Sequence, residues 1–203
     1  TAIGGGGTTA TATVILNNGR LQLPTSFTTT GTTRWAKSAF SPLRGWPTSV
    51  AFFRERLVYA RNRELFFSVV GAYDDFSRKD GPDITKETAI KLQIASDRLD
   101  LIRWITPSSS LLVGTARNEL SVQEQTTTQV FAADNVASMP QTEYGSRLLE
   151  PIRVGNAVLF VQRAGRKLRE MIYDYASDRY KADDLTVLSE HIVDAGVIDT
   201  DFQ

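Results

Sequence analysis

A chain of 203 residues, 41% of them hydrophobic, has room for one large all-β core or two small ones. Its 23 basic and 23 acidic side chains cancel, which argues against wholesale binding to nucleic acid or an anionic membrane. With no cysteine there is no disulfide, no thiolate nucleophile and no cysteine-ligated metal, and no apolar run approaches the roughly 18 residues that cross a bilayer as a helix.

Charge is unevenly placed along the chain. Residues 1–54 hold Arg20, Arg34, Lys37, Arg44 and Arg54 and no acid, whereas Asp183, Asp184, Glu190, Asp194, Asp199 and Asp201 follow Lys181 with no further Lys or Arg. Two solvated ends account for this. So does attraction between opposite ends, within one chain or between neighbouring subunits.

Residues 1–33 form a Thr- and Gly-rich segment, read as flexible or as a sheet edge. Gly4–Gly7 is followed by the strand-preferring Thr8–Thr13 run rather than by the Lys-Ser/Thr pair and the helix that a phosphate loop needs. Asn17-Asn18-Gly19 between Val14–Leu16 and Leu21/Leu23 reads as a small hairpin, because Asn-Gly favours the primed turns. From residue 34 to 203 the pattern is a β-repeat domain. Val50–Phe53, Leu57–Ala60 and Leu65–Val70 are short apolar strands separated by charged turns, and Ala89–Ala95 alternates like a half-buried strand. Strands are expected near Leu101–Ile105, Leu111–Thr115 and Leu120–Gln125, with a short one at Val130–Ala132. Val158–Val161 then turns at Ala164-Gly165-Arg166 into a second strand running through Glu170 toward Tyr173. Gly165 is the residue able to take positive φ in that loop.

The hairpin units near 45–71, 99–125 and 149–174 align without gaps. Leu57-Val58, Leu112-Val113 and Phe160-Val161 correspond, as do Leu65, Leu120 and Leu168. A repeat of about 50 residues built from short antiparallel strands points to propeller blades or a related array, since one small sheet cannot cover both its own faces. The expected fold is mainly β, with repeated antiparallel meanders, partial propeller-like blades, and one short helix near residues 183–194. Leu185, Leu188 and Ile192 have helical spacing there, with acids at the start and Gly196 beyond. The final run, Val197–Gln203, reads as a strand cut within a repeat, so the chain is expected to be a fragment of a longer protein.

Candidate chemistry is sparse. His191 is the only histidine and no Gly-x-Ser-x-Gly occurs, so a serine triad is not indicated. Asp74-Asp75 and Asp80-Gly81-Pro82-Asp83 suit a solvated loop better than a calcium site. Trp35, Trp46 and Trp104 are expected as core or interface anchors. Arg163, Arg166, Lys167 and Arg169 are expected on a solvated outer edge that guards an exposed strand.

Several of these stretches together carry a resemblance. They are Arg44–Pro47 through Phe52–Leu57, Gly71–Ser77, Leu111–Thr115, Phe160–Glu170, Tyr173-Asp174 and Asp184–Thr186. In order and spacing they resemble the tail nozzle, or tail tubular protein B-like, proteins of short-tailed bacteriophages and their prophage copies. Ala164 departs from the glycine expected in many relatives. The resemblance implies a non-catalytic structural component of the virion tail, made in the bacterial host cytoplasm, forming an oligomeric ring in the DNA exit conduit. It implies no cofactor, metal or membrane. The implied partners are further copies of the chain, the tail adaptor and fibre or tip proteins, with DNA only in transit. Asp183, Asp184 and Glu190 on one side, and Arg34, Lys37 and Arg44 on the other, are the candidate subunit contacts. The alternative reading is a glycan-binding or glycan-cleaving β-propeller domain.

Overall fold

The computed structural model describes residues 2–3, 10–11, 39–76, 85–94 and 100–201. The chain divides into two compact units, residues 1–39 and 40–203. In the first, β1 (Ala2–Ile3) pairs antiparallel with β2 (Ala10–Thr11). The hairpin expected around Asn17–Gly19 and the Gly4–Gly7 run lie outside the described residues.

The second unit is three four-stranded antiparallel meanders, each in simple sequential order. Sheet I holds β3 (Ser49–Phe53), β4 (Arg56–Arg61), β5 (Glu64–Phe67) and β6 (Ile90–Gln93). Sheet II holds β7 (Ile102–Pro107), β8 (Leu111–Thr115), β9 (Glu119–Gln123) and β10 (Ala137–Thr142). Sheet III holds β11 (Ile152–Val154), β12 (Ala157–Val161), β13 (Leu168–Asp174) and β14 (Arg179–Asp184).

Alternation sorts the side chains of sheet I. Val58 opposes Phe67 and Ala60 opposes Leu65, and Phe67 opposes Ile90 on the next strand. Cross-strand partners share a face, so one face of sheet I is apolar. It packs with Ile105, Leu111, Val113, Leu120 and Val122 of sheet II into one core. Phe131 wedges into that core edge-on against Phe53, with ring centroids 5.5 Å apart. The other face of sheet II sends Trp104 and Leu112 into a second core with Val158, Phe160, Met171, Tyr180 and Ala182 of sheet III. Sheet II is therefore covered on both sides, and every residue of β8 is buried. This is why Leu111–Thr115 is an unbroken apolar run rather than an alternating one. Each fully buried Leu, Val or Phe contributes about 1.5–3 kcal/mol.

One glycine makes the second core possible. Trp104 lies opposite Gly114 across the β7–β8 pair. A Cβ on Gly114 would fall 2.1 Å from Trp104 Cε2, so the indole lies directly on the backbone there. The turns follow from backbone chemistry as well. Gly165 takes φ of 80° in the β12–β13 turn, as expected, with its N–H donating to Gln162 O at 2.7 Å. The β3–β4 loop is less ordinary, because Arg54 and Glu55 both take positive φ, at 50° and 57°. Those are the conformations of a primed two-residue turn, without the glycine that usually relieves them.

A recurring link joins the sheets. After its fourth strand, the chain returns to the central hairpin of the sheet it has just left. Ile102 N donates to Asn62 O at 2.6 Å, Ser146 N to Thr115 O at 2.7 Å, and Val197 N to Gly165 O at 2.8 Å. The same Ile102 opens sheet II, and the residue after Ser146, Arg147, donates to Val161 O of sheet III at 2.9 Å.

Four expectations need correction. The helix over 183–194 does not form. β14 runs through Asp184, turns follow, and only Glu190–Ile192 makes a 3-10 turn. The helically spaced Leu188 is 93% exposed, so no core face rewards a helix, while Asp183 and Asp184 are taken up pairing with Glu170 and Arg169. Residues 130–132 form no strand, because Phe131 is used as a wedge. Trp46 is 63% exposed rather than an anchor, and Trp35 is outside the described residues; Trp104 is buried as expected.

The repeat alignment is the fourth. The hairpins close at Arg61/Glu64, Thr115/Asn118 and Gln162/Lys167. The residues that follow are Leu65, Glu119 and Leu168. Leu120 faces Leu65 across the first core, so the two occupy opposite faces of their sheets. A slip of one residue in a strand exchanges its faces.

Candidate functional site

Among the described residues no group of three or more His, Asp or Glu side chains is placed to hold a metal. His191 is exposed in the 3-10 turn, Asp74 and Asp75 are exposed after β5, and Asp80–Asp83 are outside the described residues. An open depression lies where the first strands of the sheets begin, lined by Thr48, Ser49, Val50, Arg103 and Leu148–Glu150. The distinctive surfaces are instead the two outer faces of the stack.

The outer face of sheet I is aromatic. Phe40 meets Phe66 edge-on at 5.1 Å and Tyr59 at 5.5 Å, and Phe52 meets Tyr73 at 5.2 Å. Phe52 and Val50 are more than half exposed. Arg61 and Lys91 lie over the Phe66 ring, at 5.2 and 5.5 Å from its centroid. Glu64 pairs with both cations. The outer face of sheet III is aliphatic with mixed charge, since Asp174, Arg179 and Lys181 share it with Glu170 and Asp183. Ile152, Leu159, Leu168 and Ile172 are half-buried on it. Glu170 stands directly opposite Asp183, and neither carboxylate forms an ion pair among the described residues. Like charges placed opposite one another are unfavourable in an isolated sheet, and Lys181, two residues before Asp183 on the same face, offsets this pair. Leu185, Val187, Ile192 and Ile198 extend the exposed apolar surface beside this face.

The candidate contact residues divide. Asp183 is on the outer face of sheet III. Asp184 is occupied internally: it takes Lys167 Nζ at 2.6 Å and accepts from Thr186 N and Oγ1 at 2.9 and 2.6 Å. The Lys167 ammonium and the Thr186 hydroxyl hold its carboxyl at about 2. Glu190 reaches the same Lys167 at 3.5 Å. Arg44 sits in an exposed turn, its N–H donating to Ser41 O at 3.1 Å. Arg34 and Lys37 lie outside the described residues.

The basic hairpin divides: Arg163 and Arg166 are exposed as expected, but no edge strand is guarded and Arg169 is buried. β13 lies between β12 and β14, so it is no edge strand. Arg169 is 9% exposed, donates to Gln162 Oε1 at 2.9 Å and Ala182 O at 2.7 Å, and lies 3.4 Å from the Tyr144 ring centroid. Lys167 and Arg166 tie down the following segment through Asp184, Glu190 and Asp194.

Two fully buried charges escaped sequence reasoning. Arg56, fully buried, donates to Ser68 O and Thr88 O at 2.7 Å and to Lys86 O at 2.8 Å, fastening residues 85–88 to β4. Glu119, also fully buried, accepts from Thr142 Oγ1 at 2.6 Å and Ser146 Oγ at 2.8 Å. Burial pushes its carboxyl above the ordinary 4.5, against the hydrogen bonds that favour the anion. Its one sequence signal is an acid breaking an apolar strand at the position Leu65 and Leu168 hold in the other sheets.

No family model matches the sequence, and no curated protein matches it.

Proposed function

We propose that this chain is a structural assembly module, and that its setting is the tail nozzle ring of a short-tailed bacteriophage or prophage. The observation that carries the structural reading is the stack itself. Two sheet-on-sheet cores hold sheets I, II and III together, and a sheet face with exposed or half-buried apolar side chains is left open at each end. A sheet with one apolar face needs a covering layer, and blades of a propeller or ring supply it to one another. The phage setting rests on the resemblance of Arg44–Pro47, Phe52–Leu57, Gly71–Ser77 and Phe160–Glu170 to that family. In that setting the partners are further copies, the adaptor and the fibre or tip proteins, and DNA passes without being held, which the zero net charge suits.

Sedimentation velocity of the purified chain across a concentration series tests the structural reading. Reversible growth into larger species is the expected result, and a monomer at every concentration would sink it. Imaging virions with an antibody against the chain tests the setting, with label at the tail expected. The exposed aromatics Trp46, Phe52 and Tyr73 favour a second reading, a glycan-binding surface, since sugar rings stack on such side chains. Quenching of Trp46 fluorescence by oligosaccharides, abolished in Trp46→Ala, would support it.

A further inference from the structure

We infer that residues 142–147 are a strap that docks sheet III onto sheet II, anchored on the Glu119 carboxylate. Releasing the anchor lets sheet III open as a unit while sheets I and II stay folded. This device belongs to the fold itself and holds whatever the chain assembles into.

The anchor lies on the side of sheet II that faces sheet III. Glu119 stands opposite Gly114, and Gly114 opposite Trp104, which belongs to the second core. Cross-strand partners share a face. Among the described residues, every group that donates to this buried carboxylate comes from the strap: Thr142 Oγ1, Ser146 Oγ and the backbone N–H groups of Tyr144 and Gly145. A buried carboxylate stripped of its donors is costly, so anchor and strap hold each other in place.

The other side of the strap belongs to sheet III. Arg163 N donates to Gly145 O at 2.8 Å, Arg147 N donates to Val161 O at 2.9 Å, and Ser146 forms a β-bridge with Gln162. The buried Arg169 guanidinium lies 3.4 Å from the Tyr144 ring centroid. One short segment therefore runs between a buried anion of sheet II and a buried cation of sheet III. Gly145 lets it lie close, with φ of 73°; a Cβ there would meet Ala116 O at 2.6 Å.

Away from the strap, sheets II and III meet through the smaller of the two cores and through Tyr180. Its hydroxyl bonds Ser109 Oγ at 2.8 Å and accepts from Ser110 Oγ at 3.2 Å, and its N–H donates to Gln141 Oε1 at 2.9 Å. The first core lies on the opposite face of sheet II and includes neither Glu119 nor any strap residue. Loss of the anchor therefore acts on one interface, and contiguous segments held by one interface open together.

Hydrogen exchange followed by mass spectrometry reads that opening segment by segment in the intact chain. In Glu119→Ala, amides of β12, β13 and β14 should exchange about tenfold faster or more, while those of β4, β5 and β8 keep wild-type rates. Gly145→Ala leaves the carboxylate in place but displaces the strap, and should give the same pattern. Glu119→Gln, which retains one acceptor oxygen, should give a weaker one, and these two variants carry the test if Glu119→Ala does not fold. Faster exchange spread evenly over the three sheets would mean that Glu119 supports the fold as a whole, and overturns the proposal. Unchanged exchange in sheet III overturns it as well. Val113→Ala, in the first core, is the control: it should speed exchange in sheets I and II, and selective opening of sheet III in that variant would deny Glu119 any special role.

Discussion

Adding one methyl group at Gly114 tests how the second core is built. In Gly114→Ala the new Cβ meets Trp104 Cε2 at 2.1 Å, Nε1 at 2.4 Å and Cζ2 at 2.5 Å. Ordinary carbon contacts begin well over 3 Å, so the indole must retreat by more than an ångström. It has nowhere to go: Trp104 is buried between sheets II and III with Phe160 5.6 Å away on its other side. Overpacking of this kind costs about 1–3 kcal/mol, and a rigid ring pressed against backbone belongs at the top, about 3 kcal/mol. In thermal unfolding that is roughly 6–12 °C for a unit of this size. Trp104→Phe alone removes ring volume, but it also removes an indole N–H that has no hydrogen-bond partner, so it costs less, on the order of 1–2 kcal/mol. The double variant has space for the methyl group. Guanidinium denaturation of the four proteins should therefore show the double variant about 1 kcal/mol or more better than the sum of the singles. Additive effects, or an unchanged midpoint in Gly114→Ala, would refute the packing argument.

Glu55→Gly relieves a left-handed residue in the β3–β4 turn and should raise the unfolding free energy by about 0.5–1 kcal/mol, measured in the same assay. Arg56→Met strips the buried Ser68 and Thr88 carbonyls and the partly buried Lys86 carbonyl of their donor; a loss of about 3 kcal/mol is expected, with faster proteolysis at residues 85–88. Glu119→Gln tests the buried carboxylate. Because its folded-state value is raised, Glu119 favours the fold most below its ordinary 4.5, and that advantage is lost as pH climbs through the raised value. The stability of the wild-type chain relative to Glu119→Gln should therefore fall as pH increases above 4.5, and a flat difference would exclude burial as the controlling cause.

Which elements were legible in the sequence depended on how their faces are covered. β3, β4 and β5 announce themselves because charged turns separate apolar runs. β10 and β14 were missed because these edge strands, unlike β6 with its alternating Ile90 and Leu92, carry little apolar alternation. β10 carries Pro140, which an edge tolerates, and β14 is mostly charged and small: Arg179, Lys181, Asp183 and Asp184. The spacing of Leu185, Leu188 and Ile192 imitates a helix, yet periodicity only matters where a core receives it. The register of the middle repeat failed for a different reason. Leu111–Thr115 is buried on both faces, so its residues carry no phase, and a one-residue slip is invisible. The candidate contacts fared similarly. Asp183 is exposed on the outer face of sheet III, but the adjacent Asp184 faces the other way and serves Lys167, a distinction that only strand parity decides.

The return bonds from Ile102, Ser146 and Val197 tie the exit of each sheet to that sheet's own central hairpin. Tension applied at an exit therefore reaches the middle of the sheet through the latch before it peels the fourth strand. Opening one frees a length of strand without disturbing the next latch, so force is dissipated in successive releases. Sheets I and III, each held by one interface, yield before sheet II, which is gripped from both sides.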